Sequence, residues 1–98
     1  MKNFREIIKE SVPTLVVFEH AGMNDAVEVK YLVKDLKDKF AEKANIWRVD
    51  GSYNGNLKME YKLEEYPTYI LFKEGQELMR EAGKKTEAQL EDMIQRAL

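Results

Sequence analysis

The sequence predicts a single α/β domain in which helices flank a four-stranded mixed β-sheet. Three observations support this prediction. The chain is 98 residues long, its apolar segments alternate between strand-like and helical spacing, and its last two strand candidates are joined by a tight turn. Alternating strands and helices are typical of a parallel sheet, whereas a tight turn joins antiparallel strands. A chain of this length supports one hydrophobic core, so we expect one domain over residues 1–98.

The first half of the chain has the pattern helix, strand, helix. Apolar residues at helical spacing predict a short helix over 3–10, with Asn3 as its cap. The continuous apolar run at 15–18 is typical of a central strand that is covered on both faces. A long amphipathic helix follows to about Lys43, and either Asn24 or Asp25 is suited to cap it.

The second half predicts a strand, a short helix, a hairpin and a final helix. Gly75 supplies the positive φ that a tight hairpin turn requires, and Thr86 with Gln89 forms the pattern of a capping box. The predicted elements are a strand at 46–49, a loop at 50–56, a helix at 57–63, strands at 68–72 and 78–82, and a helix after Thr86. The complete order is therefore α-β-α-β-α-β-β-α.

Composition excludes several classes of function. The chain has no cysteine, which removes disulfides, thiolate nucleophiles and zinc-thiolate sites. Its formal charge of -2 provides no field for nucleic acid, and its apolar runs are too short for a membrane helix. The first residues lack the apolar core of a signal peptide, so we expect a cytoplasmic protein. We therefore expect a small domain of bacterial type that binds neither nucleic acid nor membrane.

The order and spacing of these segments resemble the thioredoxin family. Residues 13–36 lie on the family's redox-motif segment without a gap. Pro67 and Thr68, followed by the segment 71–75, look like the family's cis-proline strand and hairpin turn, and Gly83 precedes a similar C-terminal helix. The resemblance covers nearly the whole chain and implies a thioredoxin fold that lacks the family's N-terminal strand.

The departures from the family pattern bear on activity. The family's Cys-Gly-Pro-Cys motif falls on Met23, Asn24, Asp25 and Ala26, and its buried acid falls on Val17. Disulfide exchange needs one thiolate to attack and a second thiol to resolve the mixed disulfide. A methionine thioether has no proton to lose. We therefore expect no catalytic residue, no cofactor and no disulfide reductase activity.

The resemblance also implies a peptide groove beside the proline. Capture of an extended peptide uses main-chain groups and needs no cysteine, so an unknown protein or peptide is the expected partner. The alternative is that the groove is only an inherited shape. The residues implied for the groove are Gly22, Met23, Tyr66, Pro67 and Gly83, together with positions 24–26.

Two other functions stay open. Without an N-terminal strand, the strand at 46–49 is an edge that can pair with a second copy, so the chain is expected to be a monomer or a weak homodimer. Glutathione-binding enzymes also use the cis-proline strand. They usually carry an acidic residue followed by serine after the hairpin, whereas Glu81 is followed here by Ala82.

Two candidate sites are weaker. The segment 50–55 resembles the first half of a calcium loop, but Lys58 and Tyr61 stand where such a loop needs its last ligands, so no metal site is predicted. His20 is the single histidine and has no cysteine partner. We interpret it as a surface or loop residue.

Overall fold

The structure is a computed structural model, and it describes residues 3–20, 22–51 and 55–98. The elements follow the predicted order, with one additional 3-10 turn at Ala41–Lys43. They are α1 (Phe4–Ile7), β1 (Thr14–Glu19), α2 (Ala26–Phe40), β2 (Asn45–Asp50), α3 (Gly55–Glu60), β3 (Thr68–Lys73), β4 (Gln76–Ala82) and α4 (Glu87–Ala97).

The described ranges form a four-stranded mixed sheet in the order β2-β1-β3-β4. β1 pairs in parallel with β2, from Thr14 opposite Asn45 to Glu19 opposite Asp50. β1 also pairs with β3, and β3 with β4, in antiparallel orientation. The mixed sheet predicted from the sequence is confirmed, and β2 lies at one edge of it.

The sheet separates two apolar clusters. Alternate residues of the central strand β1 supply both of them: Leu15 and Val17 face α2 and α4, while Val16 and Phe18 face α1 and α3. All four side chains are fully buried. This double burial explains why β1 is a continuous apolar run rather than an alternating one.

Several helix ends differ from the prediction. α1 ends at Ile7 rather than Glu10, and α3 covers Gly55–Glu60 rather than 57–63. Lys62, with a φ of 54°, lies outside the helical region, so α3 cannot continue to Leu63. Ala41, with a φ of 45°, ends α2 in the same way.

The predicted caps are formed to different extents. The Asn3 side chain accepts a hydrogen bond from the Glu6 main-chain N–H at 2.9 Å, as expected. At α4 both bonds of the capping box between Thr86 and Gln89 are present. Asp25 occupies the N-cap position of α2, but its side chain makes no capping bond.

Candidate functional site

The residues on the redox-motif positions surround the N-terminus of α2. Gly22 is exposed with a φ of 90°, and Asn24 is also exposed. Met23 is 9% exposed and packs in the cluster beneath α2 and α4, so its side chain offers little contact surface. Asp25 and Ala26 are half-buried.

A pocket of about 500 Å³ lies beside these residues. Three segments form it: the first two turns of α2, the start of β3, and the connection between β4 and α4. The lining residues are Asp25, Glu28, Val29, Leu32, Pro67, Tyr69, Lys84, Lys85 and Thr86.

The wall of the pocket carries charges of both signs. The Lys84 ammonium lies 2.9 Å from a Glu28 carboxylate oxygen, and this hydrogen bond raises the pKa of Lys84. Both side chains are largely exposed, so the ion pair adds little stability. The Lys85 ammonium donates to the Ala82 carbonyl at 2.9 Å.

The remaining lining is apolar and aromatic. Val29 and Tyr69 are almost fully buried, and Leu32 packs at the edge of the same cluster. Burial raises the pKa of the Tyr69 hydroxyl to about 12, with smaller contributions from the charges of Glu19 and Asp25. The Tyr66–Pro67 peptide bond is cis, and the Pro67 carbonyl accepts the Gly83 N–H at 2.8 Å.

Tyr66 has unpaired polar groups next to the pocket. In the described part of the chain, neither its main-chain N–H nor its C=O has a hydrogen-bond partner. Its ring lies edge-on to His20 at 5.0 Å between centroids, and its hydroxyl is buried without a partner. Burial raises the pKa of this hydroxyl, and the nearby Asp50 carboxylate adds to the effect.

The structure brings part of the expected groove together. Asp25 and Pro67 line the pocket, whereas Gly22, Met23 and Tyr66 are not among its lining residues. Gly83 lies nearby with a φ of 85°, and the hydrogen bond from its N–H to the Pro67 carbonyl holds it beside the pocket. The sequence did not indicate the pocket residues of α2, of β3 and of the β4–α4 connection. For Lys84 and Lys85 a signal was present, because they directly follow Gly83, which the family pattern places at the groove. The missed residues are Glu28, Val29, Leu32, Tyr69, Lys84, Lys85 and Thr86.

The other candidates are placed as follows. His20 lies in the connection directly after β1, where it is half-buried and its ring packs against Tyr66. The calcium-like interpretation depends on Ser52 and Asn54, which lie outside the described residues. Within the described ranges, no three acidic or histidine side chains are grouped to hold a metal ion.

Comparison with known proteins supports the resemblance to the thioredoxin family. The family model described as "Thioredoxin" matches residues 1–96. Thioredoxin X of Arabidopsis thaliana chloroplasts is 28% identical over 90 residues, covering 90% of this chain and 50% of that protein. Thioredoxin Y of Oryza sativa chloroplasts is 26% identical, covering 98% of this chain and 58% of that protein. A thioredoxin of Acidithiobacillus ferridurans is 25% identical, covering 87% and 79%.

The structural comparison agrees. The chain superposes on Fasciola hepatica thioredoxin with a TM-score of 0.82 and 21% identity, covering 92% of this chain and 85% of that one. A mixed sheet, a helix that begins at the redox-motif positions and a cis-proline strand define a thioredoxin-like protein. The chain belongs to the thioredoxin family, but it contains no cysteine. It spans about half the length of the two chloroplast relatives.

None of the described helices has the length and apolar character that crossing a membrane requires.

Proposed function

We propose that this domain is a redox-inactive member of the family that binds an extended peptide segment of a protein partner beside Pro67. The feature that carries the proposal is the free main chain of Tyr66 next to an open pocket. An extended peptide pairs with one N–H and one C=O of such a residue and continues the antiparallel pattern there. No thiol takes part in this mode of binding.

The pocket supplies selectivity for the peptide side chain. Part of its lining is apolar, because the side chains of Val29, Leu32 and Pro67 are hydrocarbon. Its rim carries Glu28 and Lys84, which already neutralise one another. An apolar side chain of the peptide is therefore the best fit, and neutral or mixed-charge flanking residues suit the rim.

The test is an amide chemical-shift titration with a panel of extended peptides and with reduced and oxidised glutathione. Binding in the proposed mode shifts the amides of Asp25, Tyr66 and Lys84. A response to glutathione alone would replace the proposal with glutathione-type chemistry. Silence of these amides towards the whole panel would refute peptide binding at this site.

A matched pair of substitutions makes the test specific. Leu32→Trp fills the pocket from its half-buried edge, so we expect the affinity for a responding peptide to fall about tenfold or more. Leu78→Trp places the same ring on β4, where Leu78 is 45% exposed and outside the pocket. Equal affinities of the two variants would contradict the assignment of the pocket.

A further inference from the structure

The outer edge of β2 carries unpaired main-chain groups. The Asn45 N–H donates to the Pro13 carbonyl at 2.8 Å and the Gly51 N–H to the Glu19 carbonyl at 2.7 Å, so both point towards β1. Because strand orientation alternates with a period of two, the N–H and C=O groups of Ile46 and Arg48 point to the opposite side. In the part of the chain that the structure describes, no strand covers that side.

A stripe of lysines runs beside this edge. Lys30, Lys34 and Lys37 lie one turn apart on the flank of α2 that faces β2. Together with Arg48 they line a shallow cavity of about 270 Å³. We call these three lysines the lysine stripe.

The lysine stripe has no ion-pair partner among the residues that the structure describes. None of its ammonium groups lies within 4.0 Å of a carboxylate of the described residues. On the opposite flank of α2, by contrast, Lys39 is paired with Glu91 and Glu28 with Lys84. The neighbouring Arg48 is held by Glu19 through two hydrogen bonds of 2.9 and 2.7 Å. The edge of the sheet therefore borders three lysines that form no ion pair within the described ranges.

The other face of the same edge is apolar. Trp47 is half-buried and packs with Val49 in the cluster on the side of α1 and α3. A strand added outside β2 would point alternate side chains to these two faces. One set would approach the lysine stripe and the other set would approach Trp47.

We infer that β2 is a second docking site, distinct from the pocket at Pro67, for an extended acidic segment of a partner protein. The segment adds one strand to the sheet through the main chain of Ile46 and Arg48. Its alternate acidic side chains meet the lysine stripe, and the apolar side chains between them cover Trp47. The main chain provides the register and the charges provide the selectivity.

A second copy of this chain fits the edge less well. Two β2 strands would pair through Ile46 and Arg48 of each copy, whose side chains lie on the α2 face of the sheet. Hydrogen-bonded antiparallel pairs place opposing side chains on one face, so both α2 helices would lie on the same side. The two lysine stripes would then face each other, and like charges repel.

The probe is an acetylated and amidated peptide of sequence Val-Glu-Phe-Glu-Val-Glu-Val. The inference predicts shifts of the amides at 46–48, with binding that weakens severalfold when salt rises from about 0.05 to 0.3 M. A peptide with glutamine in place of glutamate should bind about tenfold more weakly. Absence of shifts at 46–48, or a glutamine peptide that binds equally well, would overturn the inference.

Two matched pairs of variants separate charge from main-chain pairing. Exchange of Lys30, Lys34 and Lys37 for glutamine should weaken binding about tenfold, while the same exchange at Lys9, Lys58 and Lys62 gives the same net charge and little loss. Arg48→Pro removes the outward N–H, whereas Arg48→Ala keeps it. If both Arg48 variants bind alike, strand addition is refuted.

Sedimentation of the chain alone measures its oligomeric state and tests whether a second copy occupies the β2 edge. A monomer that binds the peptide supports the inference, and a dimer that the peptide does not dissociate would assign the edge to a second copy. The amides of Asp25, Tyr66 and Lys84 report binding at the Pro67 pocket, whereas the amides at 46–48 report binding at β2. Absence of binding at one site can therefore be distinguished from absence of binding at the other.

Discussion

Tyr66 contributes to the proposed binding site through its main chain and affects the stability of the fold through its side chain. Its main chain carries the proposed peptide contact, while its ring lies above Gly51, where a Cβ would come within 2.8 Å of the ring. Its hydroxyl is buried without a partner. A buried hydroxyl that makes no hydrogen bond destabilises the folded state, because it loses its bonds to water.

We therefore expect Tyr66→Phe to raise the free energy of unfolding by about 1 kcal/mol. Urea denaturation measures the change. Tyr61→Phe is the control, since the Tyr61 hydroxyl interacts with Glu60 and its removal should give no gain. A loss of stability in Tyr66→Phe would show that the hydroxyl has a partner in the folded protein.

Tyr69 predicts a specific response to alkaline pH. Its pKa is raised from 10.0 to about 12 because burial disfavours the phenolate. The folded state therefore keeps this proton at a pH where the unfolded chain loses it. The stabilisation is complete below pH 10 and is lost between about pH 10 and 12, amounting to roughly 2–3 kcal/mol.

The measurement is the free energy of unfolding as a function of pH from 8 to 12. Tyr69→Phe should reduce this slope between about pH 10 and 12, and the raised pKa values of Tyr61 and Tyr66 account for a part that remains. Tyr31→Phe should leave it unchanged, because Tyr31 is 60% exposed. An identical slope in the Tyr69→Phe variant would contradict the assignment.

At the scale of elements, α4 depends on its N-terminal cap. The Gln89 N–H donates to the Thr86 hydroxyl at 3.2 Å, and the Gln89 side chain accepts the Thr86 N–H at 2.9 Å. These bonds satisfy two of the main-chain donors that the first turn leaves free. They also fix the segment that carries Lys84 and Lys85 into the pocket.

We expect Thr86→Ala to lower the free energy of unfolding by about 1 kcal/mol through loss of this cap. Thr86→Ser keeps the hydroxyl and should restore most of the loss. Thermal and urea denaturation of both variants provide the check. Equal destabilisation by alanine and serine would show that the methyl group, not the hydroxyl, is responsible.

The elements also show where sequence patterns succeed. The capping box at Thr86 and Gln89 is a local pattern, and it is present in the structure. The ends of α2 and α3 were harder, because Ala41 and Lys62 adopt positive φ values that are uncommon for these residue types. Nothing in the composition of these positions signals such a conformation.

At the scale of the whole molecule, the chain has the thioredoxin fold without the cysteines that disulfide exchange requires. The chain has a four-stranded mixed sheet, flanking helices and a cis-proline strand, while Met23 and Ala26 occupy the positions of the two cysteines. Val17, at the position of the family's buried acid, is fully buried in an apolar cluster. Disulfide exchange requires a thiolate, and no cysteine stands at these positions.

We expect the chain to leave the rate of insulin reduction by dithiothreitol at its background value. The turbidity assay for precipitated insulin chains measures this rate directly. The Fasciola hepatica protein provides a control of similar fold. Acceleration above background by the unmodified chain would refute redox inactivity.

The site was predictable only in part, and the reason is distance along the chain. Pro67 is identified by its family pattern, and Asp25 by its place within the redox-motif positions. Glu28 and Lys84, by contrast, are far apart in sequence and form an ion pair of 2.9 Å only because α2 packs beside the β4–α4 connection. Similarly, Leu32 had the spacing of a core residue, and its exposed edge emerged only with the neighbouring elements in place.

The sequence by itself determined the order of the elements, the central position of β1 and the absence of thiol chemistry. These follow from local periodicity and from residue types, which require no knowledge of distant contacts. Tertiary structure decided which side chains line the pocket, and it placed Arg48 beside the lysine stripe at an open edge. Surfaces of this kind are assembled by packing between remote segments, so their composition depends on the fold as a whole.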